Sequence, residues 1–135
     1  MLDDVRQRCN AIEECYEFML AYAAQGLPGE GGNGGQLRQF LKRAVDALAG
    51  LAQSYGAVAR DGGMGSYEPF LAVLDRDAND SLAALRMVLA QPSISSQLID
   101  NLNASIHLRA LLTDLFLIDE LIKPQQVAAN PAATN

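Results

Sequence analysis

The stretch from Leu98 to Lys123, LIDNLNASIHLRALLTDLFLIDELIK, constrains the fold more than any other part of the chain. Ala104, Leu108, Leu111, Leu115, Ile118 and Ile122 recur at steps of four and three, the spacing of one face of an α-helix. Leu98, Leu102, Ile106, Leu112, Phe116, Leu117 and Leu121 fill most of the remaining circumference. A helix apolar on several sides needs more than one neighbour to cover it. The stretch is therefore expected to pack between partners, some from its own chain and one from a second copy.

Composition agrees with helices. Half of the 135 residues are apolar but only 6% are aromatic, and Leu and Ala dominate, residues that fit helical geometry at little cost. This length suffices for one domain with its own core. A formal charge of -6 and a pI near 4.6 oppose sequence-independent nucleic-acid binding, which needs clustered Lys and Arg. Cys9 and Cys15 stand six residues apart, about 240° around a helix, and so cannot reach each other. Free thiols suit a reducing compartment, the N-terminus MLDDVRQRC lacks the basic-then-apolar order of a signal peptide, and no apolar run is long enough to span a membrane. A cytoplasmic protein is the expectation.

Taken in order, Leu2, Val5, Cys9, Ile12, Tyr16, Met19 and Ala23 form one stripe, widened by Cys15, Phe18 and Tyr22, and predict a helix over about 2–25. Asp3 and Asp4 suit its first turn, and Gly26 with Pro28 ends it. The six glycines of GLPGEGGNGG at 26–35 leave little to pack, which predicts a mobile loop. Leu37, Leu41, Ala44, Leu48, Leu51, Tyr55 and Val58 predict a second helix over about 35–60. Gly62, Gly63 and Gly65 break it, and Ser66 resembles the cap of a third over about 67–91, with Pro69 in its first turn. Residues 75–81, DRDANDS, are poor helix formers and mark a place to bend or break. Pro92 stops that helix, Ser93 or Ser95 caps a fourth over about 94–122, and Pro124 ends it, leaving 124–135 as a disordered tail. Four segments of matched length predict an all-α, antiparallel up-down four-helix bundle over 1–123 with glycine-rich loops.

The candidate motifs lack the context their chemistry requires. Gly29 to Gly34, GEGGNG, has the glycine spacing of a dinucleotide site but follows a helix instead of a strand. Asp75, Asp77 and Asn79 begin like a calcium loop, yet Asp80 stands where a glycine and Arg86 where a bidentate glutamate are required. The single histidine, His107, has Ala104 three residues before it, so a carboxylate-bridged metal pair lacks ligands. No catalytic residue, metal ligand or cofactor is expected. Asp100, Asn103, His107 and Asp114 fall on one polar line of the last helix, which faces either water or a groove.

Two functions fit such a chain. One is a non-enzymatic binding or adaptor protein acting through apolar helix surface, as a homodimer or with a partner helix, its interface drawn from Leu98, Leu102, Leu112 and Phe116. The other is a carrier of a small ligand, haem or metal, with an interhelical pocket lined by Tyr16, Met19, Tyr55 and His107.

Overall fold

Val5, Cys9, Ile12, Cys15, Met19 and Tyr22 line the inner side of the first helix in a computed structural model that describes residues 2–62 and 65–129. This helix, α1, spans Leu2–Ala24. In its last turns the buried line runs through Cys15 and Tyr22, leaving Tyr16 and Ala23 half-buried. The helices that follow are α2 (Gly34–Leu48), α3 (Leu51–Asp61), α4 (Glu68–Leu89), α5 (Ser96–Ala104) and α6 (Ile106–Ala129). Among the described residues all regular structure is helical, and no helix is long and apolar enough to cross a membrane.

The second predicted helix is broken in two. Ala49 is extended and Gly50 takes a left-handed φ of +85°, a conformation glycine adopts without steric cost. Arg8 of α1 closes the end of α2 from outside: its Nη1 donates to the carbonyls of Ala47 at 3.0 Å and Ala49 at 2.7 Å. Asp4 holds the same guanidinium at 3.0 Å, and Arg8 and Ser54 together keep the Asp4 carboxyl below the usual carboxylate range, Ser54's hydrogen bond first.

The fourth predicted helix is also interrupted. Ser105 turns extended, with ψ 143°, and its Oγ accepts the Leu108 N–H at 3.3 Å, the geometry of a helix N-cap. Ser95 caps α5 in the same way, accepting the Leu98 N–H at 3.1 Å. By contrast DRDANDS does not break the helix: α4 runs through it, burying Leu74, Ala78, Ser81 and Leu82. Tertiary burial overrides the weak local preference there. Ser66 is not the cap of α4; it lies in a short 3₁₀ turn, Gly65–Tyr67, and Tyr67 holds the cap position. At the far end α6 passes Pro124 and continues to Ala129, so residues 124–129 of the expected disordered tail are helical. Residues 130–135 lie outside the described residues.

α1 packs on α2, α3 and α5, while α4 packs on α2, α3 and α6. α1 and α2 run antiparallel, as do α2 and α4. Arg43 meets Glu14 at 2.9 Å, Phe40 stacks on Phe18 at 4.8 Å, and Arg38 near the start of α2 reaches the Leu89 carbonyl at the end of α4.

The glycine loop, expected to be mobile, is tied at several points. The buried Tyr22 hydroxyl donates to the Ile94 carbonyl at 2.6 Å and accepts the Gly31 N–H at 3.2 Å. Ser96 Oγ donates to the Tyr22 carbonyl at 2.7 Å and accepts the Leu27 N–H at 2.9 Å. Glu30 pairs with Arg38 at 2.6 Å and accepts the Ile94 N–H at 3.2 Å. Polar anchors outside the loop therefore hold what its own side chains could not. Ser96→Ala removes two bonds at a site only 1% exposed. It is expected to lower unfolding free energy by about 1–3 kcal/mol, the cost of stranding buried polar groups, measured by urea denaturation.

Candidate functional site

Because Ser105 starts a new helix, the faces of α6 are set by its own periodicity and not by that of Leu98–Ala104. Leu108, Leu111, Leu112, Leu115 and Ile118 point inward. The opposite side carries Ile106, Phe116, Leu117 and Leu121, which are 74%, 61%, 53% and 52% exposed. Among the described residues the chain's own elements cover one side of this helix and leave the other exposed. Beside Ile106 lies an open groove of about 420 Å³, lined also by Arg109, Ala110, Thr113 and Asp114.

The predicted polar line does not survive the break. Asp100 and His107 are exposed, whereas Asn103 and Asp114 are 8% and 6% exposed. Both side-chain polar atoms of Asn103, and Oδ2 of Asp114, lack a partner among the described residues. Asp77 of α4 shares a hydrogen bond with Asp114. Burial first, then the bond to and charge of Asp77, push the Asp114 carboxyl up to about 7. Ser81 fixes this part of α4 to the first turn of α6 by donating to the His107 carbonyl at 3.0 Å.

A second polar group lies inside the molecule. Tyr55 of α3 donates its hydroxyl hydrogen to Asp119 Oδ1 at 2.7 Å, and Cys9 Sγ lies 3.0 Å from the same hydroxyl. With the tyrosine proton committed to the carboxylate, the thiol is the donor in the second bond. Burial pushes Cys9 up to about 11 and Cys15 up to about 12, so neither is ionised near neutral pH. Tyr55 is raised as well, by burial and then by its two partners. Glu13 is raised by burial first and then by the charges of Asp119 and Glu17. This constellation joins three helices and offers no activated nucleophile.

The predicted ligand residues are dispersed. Tyr55 and Met19 are sealed in the core, Tyr16 is half-buried on α1, and the His107 side chain is exposed. Among the described residues, none of the four lines the grooves along α6, around Arg8 and Gly50, or beside Leu27 and Ser96. Among the described residues no three His, Cys, Asp or Glu side chains gather as a metal site would require. Of the predicted interface set, Leu102 and Leu112 are interior at 7% and 8% exposure, Leu98 is half-buried, and Phe116 alone is exposed. Ile106, Leu117 and Leu121 complete the surface that Phe116 begins. Reading Ser105 as a cap would have placed them there.

Comparison with known protein families, with curated proteins and with solved structures finds no match.

Proposed function

We propose that the chain is a non-enzymatic helical binding module that works through the outer face of α6, in the first instance as a homodimer. The architecture proposed with it is a four-helix bundle whose second and fourth rods are each broken once, as α2 with α3 and α5 with α6. The packing of α1 and α4 on opposite sides of these rods supports that arrangement. The observation that carries the functional reading is the exposure, on one helix, of Ile106, Phe116, Leu117 and Leu121. Fully burying a side chain of this size is worth about 1.5–3 kcal/mol, and Phe116, Leu117 and Leu121 stand within two turns of one another, the kind of apolar exposure that marks a contact.

Sedimentation velocity over a concentration series tests it. The wild type is expected to shift from monomer to dimer as concentration rises. Leu117→Asp, at a position already half in water, is expected to weaken association by at least about tenfold while leaving the helical circular dichroism unchanged. A chain that stays monomeric throughout, or a Leu117→Asp variant that dimerises as well as the wild type, overturns the reading.

A further inference from the structure

We infer that the second copy packs antiparallel, α6 against α6, about a two-fold axis beside Thr113; this rests on the self-association proposed above. At about 100° per residue, Ile106, Ala110, Thr113, Leu117 and Leu121 fall along one line of α6, opposite the inward line of Leu108, Leu111, Leu115 and Ile118. Steps of three and four are those of a seam between two helices.

The two halves of this line differ in shape. Around the small Ala110 there is a hollow, the groove walled by Ile106, Arg109, Thr113 and Asp114. The other half raises Phe116, Leu117 and Leu121, each more than 50% exposed. A two-fold contact must be complementary to itself. With the helices parallel, projection would meet projection and hollow would meet hollow. Reversed, Leu117 of the second copy enters the hollow over Ala110, Leu121 of the second copy covers Ile106, and the two Thr113 side chains flank the axis. Since both members of the match lie on the same helix, the occupant that fits is another copy of this chain.

Charge favours the same register. In an antiparallel pair like flanks meet, and Arg109 and Phe116 share one flank of α6. Arg109 then falls against the Phe116 ring of the second copy, in reach of a cation–π contact. Among the described residues its guanidinium has no ion pair within its own chain. Asp114, on the other flank, remains bonded to Asp77 inside its own chain. One helix per copy places the contact at the small end of specific interfaces, under about 1,200 Å², so the expected dissociation constant is micromolar.

Orientation can be read by crosslinking. Chains carrying Ile106→Cys are mixed with chains carrying Leu121→Cys and oxidised mildly; both sites are more than half exposed, and the native Cys9 and Cys15 are buried. The mixture is expected to crosslink at least about fivefold faster than either variant alone, as disulfide geometry needs the two Cα atoms within about 7 Å. Ile106→Cys joining to itself as fast as the mixture would signify a parallel pair and overturn the inference. Arg109→Ala is expected to weaken the dimer about threefold or more, through loss of the cation–π contact with the Phe116 ring of the second copy. A dimer seen by sedimentation with neither the mixed crosslink nor any loss of affinity in Arg109→Ala overturns this register alone. A monomer at every concentration overturns the self-association beneath it as well.

Discussion

Tyr55→Ala is expected to cost about 3–5 kcal/mol of unfolding free energy, the range for truncating a buried aromatic side chain. Tyr55 is 0% exposed, and its hydroxyl ties Asp119 of α6 and Cys9 of α1 to α3. The ring and the hydroxyl make separable contributions. Tyr55→Phe keeps the ring and removes both bonds, at an expected cost of about 1–2 kcal/mol. That cost is held down because Asp119 is half-exposed and can turn its freed oxygen to water. At several degrees per kcal/mol for a domain of this size, Tyr55→Ala should melt roughly 10–20 °C lower than wild type. Urea denaturation of both variants measures the division. If Tyr55→Phe cost as much as Tyr55→Ala, the hydroxyl bonds and not ring packing would be what unites these three helices.

Most of the apolar positions that α1 buries were legible because the helix has one inward stripe, although its last turns bury Cys15 and Tyr22 in place of Tyr16 and Ala23. The breaks at Gly50 and Ser105 do not show in the apolar periodicity, for a physical reason. A chain that stops one helix and starts another can keep its apolar residues near steps of three and four, so periodicity runs across the interruption. What ends α2 is the Arg8 guanidinium, supplied from some forty residues earlier and invisible to any local reading. Ser105 did announce itself, since a serine three residues before the Leu108 N–H is a capping residue. The expectation of a loose glycine loop failed likewise on distant partners, Ser96, Ile94 and Arg38.

Reading 98–123 as one rod also misaligned the candidate site. It joined Asp100 and Asn103 to His107 and Asp114 as a single line, although the turn at Ser105 gives the two pairs different axes. It also placed Leu102 and Leu112 at the surface. With α6 counted from Ile106, its own wheel separates an inward line from an outward one, and Leu117 and Leu121 come out with Phe116. The pairing of Asp77 with Asp114 was beyond any single-helix argument, because it depends on the register of α4 against α6 that Ser81 and the His107 carbonyl establish.

That carboxyl pair gives the second large effect, a stability that falls as pH rises. Asp114 has an ordinary value of 3.8 and is pushed up to about 7 in the folded chain. Between those values the folded protein holds a proton that the unfolded chain has released, so unfolding releases protons and linkage makes stability decline with pH. The contribution is fully present below about pH 4, is lost through the window up to about pH 7, and is flat above it. At ~1.4 kcal/mol per unit the shift would amount to about 4 kcal/mol, but the groove beside Asp114 is open to water, and solvent screening reduces the expected change to about 2 kcal/mol. Asp114→Asn removes the titration. Denaturation at about pH 4 and about pH 8 should show the variant close to wild type at the lower value and more stable than it at the higher. Other groups add slopes of their own: Glu13 is raised and acts with the same sign, while Asp4 and Glu30 are lowered and act oppositely at more acid pH. The difference between wild type and variant cancels these and isolates Asp114. A difference that does not change across the window would mean that the folded chain holds Asp114 ionised throughout, its carboxylate satisfied by the water of the groove and not by a retained proton.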